Sequence, residues 1–377
     1  MNERRLAAWV EAGLIDQPAA ARIRDWEAKH SRPLALWAVI GIGALAIALG
    51  LISIVAANWD AIPVMVRLGL HFALLLIAAA ALWWKSTPTD AARPWAQEAV
   101  LFVFGALGLT FFGHLGQAYQ TTSPLWKPLA AWLMLFGPLF LLRGQSWLTA
   151  LAVAGMLVFA VWNFALDHEV RDGAALVFAL PTALPLVLAP LGAALRRRSA
   201  RPAFWRRIEE LGFAYAVGGA SQLAIYSGLE RMTGSGDAAK LLTTFGIWAA
   251  ACFAAATVVW SVRRDVSGQA AAVVLAAAGA VAVLAYPLSG ERVIGALLFM
   301  ALWAVVAWMA LRGGWRGFFQ LAVGVLALRL IVLSFELEDD LLTSGAGLIV
   351  AGLLILGIAW VAVRVAKRFA PPKEAQP

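Results

Sequence analysis

Apolar runs of about 20 residues, separated by short polar connections, repeat along almost the whole chain. A bilayer core about 30 Å thick is crossed by a helix of about 20 apolar residues, because such a helix satisfies its own backbone hydrogen bonds. Only 14% of the 377 residues are charged, whereas soluble proteins carry about 25%. The sequence therefore predicts an all-α, polytopic integral membrane protein.

The positions of the apolar runs predict about twelve spans. They lie near residues 35–57, 63–84, 97–118, 125–142, 147–166, 174–195, 207–228, 240–262, 269–287, 291–311, 315–335 and 342–365. The fourth and ninth are the shortest of the set.

The connections between these spans alternate between rich and poor in Lys and Arg. Of the 30 Lys and Arg residues, 23 lie on one side of the predicted topology and 6 on the other, and Arg329 falls inside a span. Because cytoplasmic loops retain Lys and Arg, this split predicts that both termini are cytoplasmic and that the number of spans is even. We expect an inner (plasma) membrane protein whose basic loops meet anionic lipid headgroups, not nucleic acid.

The predicted organisation has five parts along the chain. They are a cytoplasmic helical hairpin over 1–34, a first membrane half over 35–195, a basic linker over 196–207, a second membrane half over 208–366 and a tail over 367–377. In the hairpin, Gly13 suits a helix C-cap and Asp16 an N-cap.

Two sets of about six spans are typical of many transporters built from repeats, although the two halves show no convincing sequence similarity. The sixth span contains Pro181, Pro185 and Pro190, each of which removes a backbone donor and bends a helix. An interrupted span can mark a binding site or can reflect close packing through small residues.

Polar side chains inside the predicted spans concentrate toward the outer side of the membrane. The candidates are His71, His114, Gln117, Asn163, Gln222, Tyr226 and Arg329. A polar group in hydrocarbon costs a few kcal/mol, so it faces protein or water. The pattern predicts an outward-facing polar cavity that binds a small solute; the alternative is a set of hydrogen bonds between helices.

Arg329 is the only Lys or Arg clearly inside a predicted span. Its guanidinium stays charged and therefore needs a partner or water. The acidic residues on its side that could neutralise it are Asp60, Glu336, Asp339 and Asp340. The two preferred partners are Asp60 and Glu336, which lies about two helical turns further along the same helix. The two hypotheses are an ion pair that fixes the fold and an anchor for an anionic group.

No pattern in the chain predicts a metal, a cofactor or a catalytic residue. The four His residues and the single Cys252 lack the spacing of metal ligands. No phosphate-binding loop, dinucleotide-binding motif or nucleophile elbow occurs. We therefore expect that the protein is not an enzyme.

The run Asn58-Trp59-Asp60-Ala61-Ile62-Pro63 closes the first predicted span. With Trp9, Trp26 and the runs 13–15 and 116–120, it resembles the domain-of-unknown-function family 2157, bacterial predicted multi-pass membrane proteins, over about residues 1–145. That family has no established activity to carry over. The run also has a structural interpretation, in which Asn58 ends the first span and Asp60 caps the second.

The function that these patterns favour is a small-solute transporter or permease. One alternative is a membrane scaffold or envelope-stress and assembly component that transports nothing. A second is a membrane-embedded glycosyl or lipid transfer enzyme, which the short outer loops argue against because such enzymes usually place catalytic groups on a long outer loop.

Overall fold

The computed structural model describes residues 9–30, 62–84, 94–120, 122–172, 174–229, 238–337 and 345–369, together with the isolated positions 6 and 46. All regular structure in these residues is helical. The chain divides into two compact units, residues 1–67 and residues 68–377.

The helices follow one another through short connections. They are α1 Gln17–His30, α2 Val64–Trp84, α3 Pro94–Ala118, α4 Trp126–Leu135, α5 Gly137–Arg143, α6 Trp147–Asp172, α7 Ala175–Ala183, α8 Leu188–Arg196, α9 Pro202–Leu229, α10 Ala238–Val262, α11 Val266–Ala285, α12 Arg292–Arg312, α13 Arg316–Leu337 and α14 Gly345–Phe369, with a 3-10 turn over Leu184–Val187 between α7 and α8.

Eight segments of the described residues are long and apolar enough to cross a membrane. They are Val64–Trp84, Gln97–Ala118, Trp147–His168, Ala175–Arg196, Ala238–Val262, Val266–Ala285, Arg292–Arg312 and Arg316–Leu333. The prediction of a multi-pass helical membrane protein is therefore confirmed. The total of about twelve spans and the side of the termini stay predictions, and the first predicted span, 35–57, lies outside the described residues.

The predicted fourth span, 125–142, consists of two helices instead of one. α4 ends at Leu135 and α5 begins at Gly137. Pro138 lies in the first turn of α5, where its missing N–H donor and fixed φ are tolerated. Phe136 links the two helices, because its N–H donates to the Trp132 carbonyl and its own carbonyl accepts from Phe140.

Helix α9 is the central helix of the larger unit. It packs against α6, α8, α11 and α12, and its buried face includes Ala216, Ala220, Ala224 and Gly228. Small residues let neighbouring helices approach closely in a membrane protein. Because so much of α9 contacts protein, it tolerates polar residues such as Ser221 that a lipid-facing helix would avoid.

Two glycines bring α8 and α9 into backbone contact. A Cβ atom added to Gly192 would lie 2.7 Å from the Cα atom of Glu209 and from the Trp205 carbonyl oxygen. A Cβ atom added to Gly212 would lie 2.8 Å from the Cα atom of Ala189. Real Cβ atoms do not approach backbone so closely, so only glycine fits at both positions.

In the smaller unit, the turn before α1 has defined caps. Gly13 adopts a φ of +68°, and the Leu14 N–H donates to the Trp9 carbonyl at 2.9 Å, as in the Schellman motif that ends many helices. Asp16 Oδ1 then accepts a hydrogen bond from the Ala19 N–H at 2.8 Å, which caps the start of α1.

Candidate functional site

His71 on α2 and His114 on α3 meet across the gap between their helices. Their Nδ1 atoms lie 3.3 Å apart, and His71 Nε2 lies 3.0 Å from the Leu107 carbonyl oxygen. The edge of Phe111 packs against the His71 ring, with ring centroids 5.2 Å apart. These two are the predicted outer residues that the structure brings into direct contact.

Arg329 forms a bidentate ion pair with Glu336, one of its two predicted partners. Nη1 donates to Oε1 at 2.8 Å and Nη2 donates to Oε2 at 3.0 Å. The Arg329 side chain is 10% exposed and that of Glu336 is 28% exposed. Among the described residues, the buried Arg329 Nε has no hydrogen-bond partner; in the anchor hypothesis, it donates to the solute.

We expect Arg329→Leu to lower the thermal stability of the protein in detergent. The change leaves the Glu336 carboxylate without its cation, at a cost of about 1–3 kcal/mol, below the about 3–5 kcal/mol typical of fully buried pairs. A second change, Glu336→Gln, should restore part of the loss, because no unpaired charge then persists. If Arg329→Leu alone leaves the melting temperature unchanged, the ion pair does not hold the fold and the anchor hypothesis takes precedence.

The other predicted outer residues lie on separate surfaces. Asn163 Nδ2 donates to the Phe159 carbonyl of its own helix at 2.8 Å. Gln222 and Tyr226 share an exposed face of α9, opposite the buried Ser221 and Ser227. The cavity stays a prediction.

The remaining predicted residues are Gln117 and the structural motif before the second span, which the sequence places at or near helix ends. Gln117 is exposed near the end of α3. Of the predicted structural motif, Asn58, Trp59 and Asp60 lie outside the described residues, whereas Pro63 precedes α2 and its carbonyl accepts from the N–H groups of Val66 and Arg67.

A polar network that the sequence analysis missed lies in the middle of the bundle. Trp162 Nε1 donates to the Tyr215 hydroxyl at 2.9 Å, and that hydroxyl donates to the Thr182 carbonyl at 2.5 Å. Trp248 Nε1 lies 3.3 Å from Thr182 Oγ1. The four residues come from α6, α7, α9 and α10, so the network joins four helices of the larger unit.

Pro185 explains why the Thr182 carbonyl is available to Tyr215. In the 3-10 turn over Leu184–Val187, a carbonyl accepts from the N–H three residues further on. For Thr182 that residue is Pro185, which has no N–H. The break therefore releases one buried carbonyl, and Tyr215 supplies the missing donor.

Glu98 forms a second cluster that sequence reasoning missed. It is 8% exposed and accepts hydrogen bonds from the Gln145 N–H, the Ser146 hydroxyl and, at 2.9 Å, the Thr149 hydroxyl. Arg201 reaches the same loop and donates to the Gly144 carbonyl at 2.6 Å. Burial lowers the pKa of Arg201, and the charge of Glu98 opposes that effect.

Glu209 centres a third cluster, at the ends of α8, α9 and α10. Its side chain is 2% exposed, and Arg263 Nη1 donates to its Oε1 at 2.5 Å. Arg263 Nη2 also donates to Asp265 Oδ2 at 2.9 Å, and Arg196 approaches Glu209 at 3.5 Å. Burial opposes the charge on Arg263, but Asp265 and Glu209 outweigh it and hold the pKa of Arg263 above its ordinary value.

Several contacts join helix ends that the sequence predicts to lie on the same side of the membrane; the sides themselves stay a prediction. The two carboxylate clusters just described join ends that the sequence assigns to the Lys/Arg-rich side. On the other side, Trp126 Nε1 donates to Asp167 Oδ2 at 3.1 Å, and the Gly290 N–H donates to the Ser227 carbonyl at 2.8 Å. Each contact pairs residues of the same predicted side, as helices of alternating direction require.

Residues 7–149 match the family described as Predicted membrane protein (DUF2157). The match confirms the resemblance that the sequence motifs indicated, and it spans α1 to α5 and the first turn of α6. Comparison with curated proteins and with solved structures gave no match.

Proposed function

We propose that this chain, whose residues 7–149 match a family of predicted membrane proteins, is a small-solute transporter of the inner membrane and not an enzyme. In this proposal both termini are cytoplasmic, on the side that carries most of the Lys and Arg. Solute enters from the outside past the polar residues of the outer half and reaches a site near the midplane.

The observation that carries the proposal is the break between α7 and α8. Transporters commonly bind their solutes near the bilayer midplane, where a discontinuous helix exposes backbone polar groups. Pro185 lies at the middle of the span Ala175–Arg196, and the Thr182 carbonyl beside it takes its hydrogen bond from a side chain, Tyr215. A solute with a hydroxyl or amine can replace Tyr215 as that donor.

Buried polar groups of this kind are costly in a membrane protein, which supports a role beyond packing. Thr182 is fully buried, and its hydroxyl also donates to the Phe178 carbonyl at 2.9 Å. The indole N–H groups of Trp162 and Trp248 donate to the Tyr215 hydroxyl and to Thr182 Oγ1, and in the proposal a bound solute takes over these donors. Together they offer a set of donors and one carbonyl acceptor, which suits a neutral polar or anionic solute.

Single cysteines in a Cys252→Ser background test the proposal. Cysteines at His114, Gln117 and Gln222 should react with a small membrane-impermeant thiol reagent added outside. Thr182→Cys should react from either side of the membrane, because a transport site opens to each side in turn. Phe253→Cys, on an exposed apolar face of α10, should face lipid and react from neither side.

If Thr182→Cys reacts with the thiol reagent from neither side, and the three outer cysteines do not react either, these helices are packed without water. That result would contradict transport. The scaffold hypothesis would then be the better account. Reaction of Thr182→Cys from the outside alone would indicate a fixed outer pocket, as a receptor or scaffold would have.

A further inference from the structure

His71 and His114 face each other through their Nδ1 atoms, at the long end of the hydrogen-bond range. Their Nδ1 atoms are 3.3 Å apart, beyond the roughly 2.7–3.2 Å of most hydrogen bonds donated by N–H. Two imidazole nitrogens bound at about 2.0–2.1 Å to one tetrahedral Zn²⁺ lie about 3.3–3.4 Å apart. The observed separation therefore equals the edge of a zinc coordination tetrahedron.

The hydrogen-bond partner of His71 Nε2 determines which ring nitrogen of His71 carries a lone pair that can bind a metal. A backbone carbonyl can only accept, so the Leu107 oxygen 3.0 Å from His71 Nε2 places the proton of the neutral ring on Nε2. Nδ1 then carries the lone pair that points toward His114. A carbonyl that holds the outer ring nitrogen in this way is the usual second partner of a metal-binding histidine.

We propose that His71 and His114 bind a divalent transition metal ion, with Zn²⁺ as the ion that fits the geometry. Both rings are half-buried, so water or another oxygen donor can complete the coordination. The described residues contain no group of three His, Cys, Asp or Glu side chains that could hold a metal. The site is therefore an open, exchangeable one that joins α2 to α3, and it does not depend on the proposed transport function.

Zinc titration of the full-length protein tests the proposal. The protein is purified in detergent with a tag that contains no histidine, stripped with a chelator and titrated with ZnCl₂ by calorimetry. Wild type should bind one equivalent. His71→Gln and His114→Gln should each weaken binding by at least about tenfold, because changing even a residue that only hydrogen-bonds to a metal ligand costs about that much. His168→Gln is the matched control and should bind as wild type does, because its ring stacks on Phe164 of its own helix.

Melting curves of the metal-free variants show whether each one folds. The wild-type protein is informative by itself: absence of saturable Zn²⁺ uptake overturns the proposal. Uptake that is equal in wild type and in both folded His→Gln variants overturns it as well, because the ion is then bound elsewhere.

Discussion

Arg263→Met should lower the free energy of unfolding in detergent by about 3–5 kcal/mol, the range measured when one partner of a buried ion pair is removed. The change leaves the Glu209 carboxylate, 2% exposed, with the more distant Arg196, at 3.5 Å, as its remaining cation among the described residues. Glu209→Gln in the same background should recover more than half of the loss, because the buried charge is then absent.

Arg206→Met is the matched control for that experiment. Arg206 also pairs with a glutamate, Glu210, at 2.8 Å, but its side chain is 56% exposed. Exposed pairs contribute little, so the free energy should change by less than about 1 kcal/mol. Equal effects of Arg206→Met and Arg263→Met would show that burial of the Glu209 cluster does not govern its contribution.

Gly212→Ala should destabilise the protein by about 1–3 kcal/mol or more, although it adds only one methyl group. The new Cβ atom would lie 2.8 Å from the Cα atom of Ala189. Backbone cannot rotate away as a side chain can, so α8 and α9 must separate, and overpacking of this kind costs about 1–3 kcal/mol or more. Thermal melting in detergent measures the loss.

Gly218→Ala, on the same helix, should have the opposite sign. A Cβ atom at Gly218 meets nothing within 4 Å, and alanine favours the helical conformation over glycine by about 1 kcal/mol. A melting temperature that rises for Gly218→Ala and falls for Gly212→Ala would locate the effect in the contact between α8 and α9. A fall of equal size in both would contradict that explanation.

The helices could be predicted because apolar length is a local property of the sequence. Except for the first, which lies outside the described residues, each predicted span coincides with helical structure. The ion pair of Arg329 with Glu336 was also among the predictions, since seven residues in one helix place both side chains on the same face.

Contacts between distant parts of the chain could not be predicted in this way. Glu209 and Arg263 are separated by 54 residues, and each resembles an ordinary charge at a membrane interface. The histidine contact likewise joins two helices, which spacing cannot reveal. The prolines predicted the break before α8, but nothing local identifies Tyr215 as the donor that completes it.

Polarity also failed to show which face of a helix points inward. Gln222 and Tyr226 share a face of α9, as their spacing predicts, but that face is exposed. The buried face carries Ser221 and Ser227, whose hydroxyls donate to carbonyls of their own helix. The Ser221 hydroxyl also accepts a hydrogen bond from Trp303 Nε1 on α12 at 3.0 Å, so the polar side chains that enter the interior here are the smaller ones.

The hydrogen bonds of Glu98 to the loop between α5 and α6 affect where this chain could be joined to another protein in a chimera. The family match ends at Thr149, and the three groups that donate to Glu98 belong to Gln145, Ser146 and Thr149. The matched segment therefore contains the carboxylate together with the three groups that donate to it. Arg201 lies beyond this segment and donates to the Gly144 carbonyl of the same loop. A chimera joined after residue 149 would therefore keep Glu98 and its three donors but lose Arg201. The other parent would have to supply a cation at that position.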